Sequence, residues 1–470
     1  MRWSAAAVVR DLAFIGFLLA LWGTGFRRPF LFVLAYIYID IISPQRLTYY
    51  MLNSVPISLI AVVLAVLGWA IADDKTDSRF APRQAMFVVL LGYCYATTRA
   101  ADFPLEALDK WEWVWKNLAF AAFLPLTLRT RLRIESLLLF VVLSAASIII
   151  VGGIKTLASG GGYGELNLMV ANNSGLYEGS IISAVSISLI PIILWLARDG
   201  TLFVPDARVR LFAYALTFSC LLIPVGTSAR TGLLCIGLLA VLMLRTVKRR
   251  MLYLGALAFA GLVAVPFLPS AFSERMGTIK TYQADESAST RIAVWQWTWD
   301  YAKTHPFGGG FDAYRQNQIR YDTVSVEGSG AGTTVKRGLT VDKSRAYHSS
   351  YFEMLGEQGY PGFALWMLIN LIGLVRMEVL RRRYIGDRDV GDGDGTGQAW
   401  AGRLAEALQH AQLIYLLGGA FVGIAFQSYL YFVLGAQIGL DTYLARLRKE
   451  AAFVPMQRRR PTREARTAVA

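Results

Sequence analysis

Long apolar runs, separated by short polar stretches, recur along almost the whole chain. Each run is roughly 17–25 residues long, which is the length that a helix needs to cross the roughly 30 Å hydrocarbon core of a bilayer. The pattern therefore predicts an all-α polytopic integral membrane protein. By run length the spans fall at about 54–72, 84–98, 113–128, 134–155, 179–197, 209–226, 229–246, 251–270, 348–376, 408–426 and 428–445.

The first 42 residues predict either two short passes or one kinked pass. The apolar stretch from Leu12 to Ile42 is longer than one minimal span, and glycines, arginines and a proline interrupt it at residues 23–29. The total is therefore about 12 or 13 transmembrane helices.

Lys and Arg clusters follow alternate spans, and the positive-inside rule places such loops in the cytoplasm. The loops between them are therefore predicted to be extracytoplasmic. These loops are 99–112, 156–178, 226–230 and the long segment 271–345.

This topology divides the chain into an N-terminal transmembrane bundle (1–270), the long extracytoplasmic loop (271–345) and C-terminal transmembrane helices (346–445). A Gly/Asp-rich stretch at 386–397 has the composition of a flexible cytoplasmic linker. The basic tail, 446–470, is predicted to rest near anionic lipid headgroups in the cytoplasm.

The long loop is predicted to carry short helices. One covers Arg291 to Lys303 and holds three tryptophans spaced by two, so they share no single helical face. A His-Pro-Phe-Gly-Gly-Gly sequence at 305–310 predicts its end and a turn. Residues 324–334, rich in Gly, Ser and Thr, are interpreted as a mobile lid.

Composition excludes an ordinary soluble protein, because 55% of the residues are hydrophobic and only 17% are charged. The net charge of +14 lies mainly in the short loops and the tail, so it indicates membrane topology and no nucleic-acid partner. The three cysteines fall inside apolar spans and indicate neither a disulfide framework nor a metal site. No sequence motif calls for a metal or a cofactor, and Asp40 is the clearest of few buried acids.

Arginines are in excess on the extracytoplasmic side, where the positive-inside rule predicts few. Arg230 stands out because, with Ser228, it lies between two spans joined by almost no loop, at a predicted helix N-terminus that suits an anion. The arginine fork binds two phosphate oxygens at once. The alternative is that single arginines merely extend to the interface. The predicted diphosphate-binding set is Arg230, Arg291, Arg99 and Arg345, with Arg337 also on this side.

His348 is the candidate catalytic residue, since it ends the long polar segment at a membrane boundary where an imidazole titrates near neutral pH. His305, before a proline, is interpreted as a helix-end residue, and His410 as interfacial. Asn172 and Asn173 either bind sugar hydroxyls or cap the next span, and both possibilities stay open.

The signature around His348 resembles that of the O-antigen ligase family of bacterial membrane glycosyltransferases. It consists of His348 and Ser349, nine further residues, Gly359, two residues and Gly362. The sequence around residues 228–230 and 291–310 is also similar to this family. Residues 27–29 and 43–47 and the Asn pair are similar to a subgroup, the exosortase-associated O-glycosylation ligases, although Ala171 stands where that subgroup usually has an acid.

The resemblance implies a function, a location and partners. Such ligases sit in the bacterial inner membrane and take a glycan from undecaprenyl diphosphate on the periplasmic face. They pass it to an acceptor hydroxyl of a glycolipid or a glycoprotein, as in lipopolysaccharide assembly and O-glycosylation. The arginines would hold the diphosphate in place of a metal, His348 would orient or deprotonate the acceptor hydroxyl with inversion, and Ser228 and the Asn pair would contact substrate. Grooves between spans would take the prenyl chain.

Two rival functions remain. A polymerase of lipid-linked polysaccharide shares donor, arginines and topology with a ligase, and differs only in the acceptor. A lipid or polysaccharide transporter predicts polar residues along a path between spans and needs no histidine at the extracytoplasmic face.

Overall fold

The computed structural model describes residues 5–48, 55–75, 80–161, 175–245, 286–327, 334–386 and 398–452, with isolated positions at 52, 78, 249, 250, 252 and 255. These residues are almost entirely helical. Five of the helices are long and apolar enough to cross a membrane, and three shorter apolar helices accompany them. The predicted all-helical, multi-pass membrane fold is therefore confirmed. The predicted span at 251–270, the linker after residue 386 and the tail after residue 452 lie outside the described residues.

The helices of the N-terminal part follow one another with short connections. They are α1 (Ala5–Gly25), α2 (Phe30–Ile42), α3 (Pro44–Leu47), α4 (Ile57–Ala72), α5 (Pro82–Arg99), α6 (Pro104–Thr127), α7 (Arg131–Ser159), α8 (Gly179–Asp199), α9 (Ala207–Gly226) and α10 (Arg230–Leu244).

The C-terminal part adds four helices and one hairpin. They are α11 (Glu286–Thr304), β1 (Gln318–Glu327), β2 (Thr334–Lys343), α12 (Ser350–Tyr384), α13 (Ala399–Gly419) and α14 (Ser428–Ala452).

Residues 5–42 form two helices, α1 and α2, where apolar run length alone allows either two short passes or one kinked pass. α2 has only 13 residues, about 20 Å of helix, which is short of a full span. It is nevertheless buried along nearly its whole length, because it packs between α1, α4 and α7. A short apolar helix is tolerated here because it is surrounded by protein rather than lipid.

The centre of the bundle is α8, which is buried from residue 182 to 196 except at Leu194 and packs on α13, α9 and α10. Its serines find partners inside the protein. The Ser188 hydroxyl donates to the Ala411 carbonyl at 2.7 Å, and a Cβ added to Gly418 would lie 2.5 Å from that of Ala184. Small residues and satisfied hydroxyls let these helices approach closely.

The predicted span at 408–426 is wrong in both boundaries. The helix begins at Ala399 and ends at Gly419, and residues 420–427 form a mostly buried, non-helical segment that we call the connector. Side chains satisfy its backbone: the Ile424 N–H donates to Ser350 Oγ at 2.9 Å, and the Ala425 N–H donates to a Glu353 carboxylate oxygen at 3.1 Å. Run length does not predict this break, because the connector is as apolar as the helices beside it.

The long loop contains an antiparallel hairpin that the sequence analysis does not predict. β1 pairs with β2 from Gln318 opposite Lys343 to Glu327 opposite Thr334. Both segments are rich in β-branched residues, which favour strands. The hairpin covers part of the predicted lid, and residues 328–333 lie outside the described part of the chain.

The end of the bundle that carries His348, called here the His348 end, is defined by contacts among three connections. The Asp102 N–H, between α5 and α6, donates to the Gly309 carbonyl at 2.9 Å. The Gly310 N–H in turn donates to the Glu357 carbonyl in the first turns of α12 at 3.0 Å. Residues of the short basic loops, such as Arg133, lie at the other end of these helices.

Candidate functional site

His348 lies in a tight turn just before α12, and the surrounding structure fixes its backbone. Its φ of 48° is in the left-handed region, which is uncommon for non-glycine residues and is enriched at functional sites. The Trp295 indole N–H donates to the neighbouring Tyr347 carbonyl at 2.8 Å. On the other side, the Asn317 amide bonds both backbone groups of Arg345, accepting at 2.9 Å and donating at 2.7 Å. The turn is therefore held from both sides.

Helix α11 supplies the face opposite this turn. Arg291 and Trp295 are four residues apart and so lie on the same side of the helix. The Trp295 ring stacks on Phe352 of α12 with centroids 5.1 Å apart and an interplanar angle of 7°. Trp299, four residues further along the same side, is 52% exposed, whereas Trp297 stacks on Tyr301 with centroids 4.9 Å apart. The three tryptophans therefore do not share one face.

His348 is electrically neutral at neutral pH. Burial, together with the positive charges of Arg291 and Arg345, lowers the pKa of His348 from 6.5 to about 4. The Arg345 guanidinium is also paired with the Asp342 carboxylate at 2.8 Å. The structure thus brings three predicted site residues together: a neutral imidazole within range of the charges of two guanidinium groups.

The signature glycines serve to dock the turn at residues 305–310 against α12. Gly359 has φ 61° and ψ −168° and breaks the helix there, and a Cβ at this position would overlap the Pro306 carbonyl. The Tyr360 N–H donates to that same carbonyl at 2.9 Å. Because the docked turn directly follows α11, this contact fixes the end of α11 against α12.

A buried ion-pair cluster, which the sequence did not predict, lies at the start of α12. Lys110 of α6 donates to Glu353 at 2.7 Å and to Glu357 at 2.8 and 2.9 Å. Glu357 is fully buried and Glu353 is 7% exposed. The interpretation of Asp40 as the clearest of few buried acids is therefore wrong. The signal present in the sequence is two glutamates at i and i+4 in an apolar helix directly after His348.

Arg230 is the first residue of α10, which confirms its predicted position at a helix N-terminus. Ser228, before it, is buried and has a left-handed φ of 51°. The Thr227 and Ser183 hydroxyls lie 2.8 Å apart, and Ser183 borders Ala184, which packs on Gly418. A Cβ on the next residue, Gly419, would lie 3.0 Å from Ser350 Oγ. These contacts place Arg230 at the His348 end.

The remaining predicted ligand residues are less informative. Arg99 is exposed and is the last residue of α5, beside the connection that meets Gly309. Asn172 and Asn173 lie outside the described residues. Their predicted contacts with substrate therefore stay predictions.

The other two histidines differ from His348. The His305 ring stacks on Tyr301 with centroids 4.1 Å apart, at the end of α11, as a helix-end residue would. His410 lies within α13 and is only 3% exposed. α13 begins nine residues earlier than the run of apolar residues indicates, so His410 does not begin this helix as predicted. Its interfacial position stays a prediction.

Comparison with known families divides the chain in two. Residues 9–201 match a family of unknown function, DUF5935, and residues 215–367 match the family described as O-antigen ligase. No curated protein matches the chain. The second match contains His348, Arg230, Arg291, Arg345 and both signature glycines, whereas the narrower resemblance to the exosortase-associated subgroup stays a prediction. Residues 215–367 of this membrane protein, about a third of the chain, are therefore similar to the O-antigen ligase family.

Proposed function

We propose that the chain is a membrane glycosyltransferase that transfers a glycan from undecaprenyl diphosphate to an acceptor hydroxyl on the periplasmic face of the inner membrane. The observation that carries this proposal is the neutral His348 within range of the charges of Arg291 and Arg345, in a region that matches the O-antigen ligase family. The basic loops at the opposite end of the bundle support a cytoplasmic location for that end.

The arginines would bind the diphosphate. As the bond between the anomeric carbon and the phosphate oxygen breaks, negative charge develops on that oxygen, and fixed guanidinium groups stabilise it without reorganising. Arg230 adds a guanidinium at the N-terminus of α10, where backbone N–H groups and the helix dipole also favour an anion. Arg99 would contribute from the exposed end of α5.

His348 would take the proton. The acceptor oxygen attacks the anomeric carbon from the side opposite the diphosphate, its proton moves to the His348 imidazole, and undecaprenyl diphosphate leaves with the bonding electrons. This single displacement inverts the anomeric centre. A bound diphosphate would offset the charges of Arg291 and Arg345, and so would raise the pKa of His348 and strengthen the base when the donor is in place.

The test is a transfer assay with purified protein and an undecaprenyl-diphosphate glycan. His348→Ala is expected to abolish transfer, because the variant lacks the imidazole that accepts the proton, while elution on size exclusion stays unchanged. His305→Ala is the matched control, since that histidine is also at the His348 end, and it should retain transfer. EDTA should have no effect, because the guanidinium groups take the role of a metal.

The products separate the alternatives. One glycan block joined to a foreign acceptor supports a ligase, and a ladder of lengthening lipid-linked chains would identify a polymerase instead. Full activity of His348→Ala would contradict the assignment of the base and would favour a transporter.

A further inference from the structure

A polar cavity of about 440 Å³ lies between α2, α4 and α6, and His348 does not line it. Its volume is within the range of about 300–1,000 Å³ that small-molecule sites occupy. Most of its wall comes from residues 36–117, which belong to the part of the chain that matches the family of unknown function.

One wall is a single face of α6. Asp109, Glu112, Trp113 and Lys116 are spaced i, i+3, i+4 and i+7, so they form one stripe, and all four line the cavity. Trp113 is 39% exposed, although it lies within a packed bundle. Its indole thus offers a flat apolar surface between two carboxylates and an ammonium group.

The opposite wall is the end of α2 and the short helix α3. Asp40 faces the cavity within range of the charges of Lys116 and Arg46. α2 stops at Ser43, whose left-handed φ of 53° turns the chain so that Gln45 also lines the space. Among the described residues, the Gln45 side-chain oxygen is buried without a hydrogen-bond partner, and it is therefore available to a ligand.

The cavity and the His348 turn are linked by two shared elements, the connector and α6. The Asn117 amide, in the cavity wall, donates to the Phe426 carbonyl of the connector at 3.2 Å. In the same connector, the Val422 carbonyl accepts a hydrogen bond from the Ser350 hydroxyl at 2.9 Å. Ser350 is two residues after His348. On α6, Lys110 contacts Glu353 and Glu357, while the adjacent Asp109 lines the cavity.

The charges of the His348 turn and of the cavity suit different ligands. The His348 turn faces Arg291 and Arg345, whereas the cavity combines three carboxylates with two cations. Three carboxylates repel a diphosphate. A sugar ring, in contrast, has apolar C–H faces that fit an indole and hydroxyl edges that both donate and accept hydrogen bonds.

We propose that this cavity is a saccharide-binding site, and that its occupant is the glycan part of the acceptor. The assignment to the acceptor rests on the proposed transfer function, whereas the binding of a saccharide does not. The acceptor would then reach His348 past the connector, while the donor diphosphate occupies the arginines.

The experiment is photolabelling of the full-length protein in lipid nanodiscs. The probes are diazirine-bearing methyl glycosides of glucose, galactose, mannose and N-acetylglucosamine, applied at millimolar concentration and followed by peptide mass spectrometry. At least one probe is expected to label peptides that contain residues 36–46 or 109–117, and the unmodified glycoside should compete. The double variant Asp40→Asn with Glu112→Gln should reduce this labelling at least tenfold, and Trp113→Leu should do so independently.

Glu106→Gln is the matched control, since Glu106 lies one turn earlier on α6 and pairs with Arg315 at 3.8 Å outside the cavity. It should label like the unmodified protein. Elution on size exclusion shows which variants are folded. Failure of every glycoside to label these peptides, labelling that the variants leave unchanged, or competition by phosphoethanolamine or pyrophosphate each overturns the saccharide site.

The labelling glycoside is then offered as acceptor, without the diazirine, together with the undecaprenyl-diphosphate glycan. Transfer onto it that falls at least tenfold in the double variant supports the acceptor assignment. Transfer that is absent, or unaffected by the double variant, overturns that assignment. Labelling needs no turnover, so a failure of His348→Ala to block transfer would remove the proposed role of His348 and leave the saccharide site standing.

Discussion

The two ends of α12 are each tied to neighbouring helices by three charged side chains, but the two clusters have opposite sign. At the His348 end, Lys110 bridges Glu353 and Glu357. At the other end, Asp441 of α14 pairs with Arg83 of α5 at 3.0 Å and with Arg376 at 2.7 Å. Exposure differs at one member of each cluster: the Glu357 side chain is 0% exposed and that of Arg376 is 40% exposed, whereas Lys110, Arg83 and Asp441 are each 13–15% exposed.

The difference shows where the protein uses buried charge. Burying ion pairs costs desolvation free energy that the attraction between them barely repays, so such pairs are weak sources of stability. At the His348 end this arrangement coincides with a left-handed histidine and a broken helix. We interpret the Lys110 cluster as a device that fixes the start of α12, and hence the His348 turn, in one position. The Asp441 cluster, in which Arg376 is the most exposed member, has no such strained backbone beside it among the residues that the structure describes.

Removing the lysine should have the largest effect on stability. Lys110→Met leaves two buried carboxylates facing each other and is expected to cost about 3–5 kcal/mol of unfolding free energy. Asp441→Asn is the matched change at the other end and should cost much less, because Arg376 reaches water. Thermal unfolding of both variants in the same detergent measures the difference. Equal losses would show that burial does not distinguish the two clusters.

Replacing the glycine that interrupts α12 should have the second-largest effect on stability. Gly359→Ala puts a side chain on a backbone conformation that is open almost only to glycine and against the Pro306 carbonyl, and should cost at least about 1–3 kcal/mol. Gly92→Ala in α5 is the control, since its Cβ would meet nothing within 4 Å. If Gly359→Ala unfolds at the same temperature as Gly92→Ala, the docked turn does not depend on this glycine.

A change of cation without a change of charge tests the diphosphate site. Arg230→Lys is expected to lower kcat/KM for the donor about tenfold, close to 1.4 kcal/mol, because an ammonium group cannot bind two phosphate oxygens in a plane. Arg376→Lys, at the other end of α12, should leave transfer unchanged. An Arg230→Lys enzyme with normal kinetics would remove Arg230 from the diphosphate site.

The pH dependence should show the smallest effect. Transfer needs neutral His348, so kcat/KM should fall as the pH drops through the pKa of about 4. Arg345→Gln removes one nearby positive charge, which raises the pKa of His348 toward 6.5 and moves this acid limb to higher pH. Arg315→Gln, whose arginine pairs with Asp312 at 3.6 Å, is the control. An unchanged limb in Arg345→Gln would mean that Arg345 does not act on His348.

Stability should depend on pH in the same direction as activity, so the free energy of unfolding should rise as the pH rises. The unfolded chain binds a proton at His348 near pH 6.5, and the folded protein binds it only near pH 4. Between these values the unfolded state holds more protons, so this histidine favours folding above pH 6.5 and loses that contribution as the pH falls toward 4.

The sequence was most informative where neighbours in the chain decide the structure. The all-helical membrane fold follows from the length of apolar runs, and the helix at Glu286–Thr304 ends one residue before the histidine and proline that predict its end. His348 and Arg345 were also predictable, because they lie at the boundary between a polar segment and an apolar one, and Arg291 was predictable from the excess of arginine on the extracytoplasmic side. Each of these signals is contained in a window of a few dozen residues.

The tertiary structure decided what distant residues do together. Lys110 is 243 and 247 residues from the glutamates that it binds, and no local pattern shows which acids a lysine meets. The connector is apolar enough to be mistaken for helix, and only packing shows that Ser350 and Glu353 satisfy its backbone. The cavity beside Trp113 likewise exists because α2 ends early against α6. Apolar length and charge bias fix that a segment crosses the membrane, whereas hydrogen bonding and close packing between segments fix where it breaks and what it surrounds.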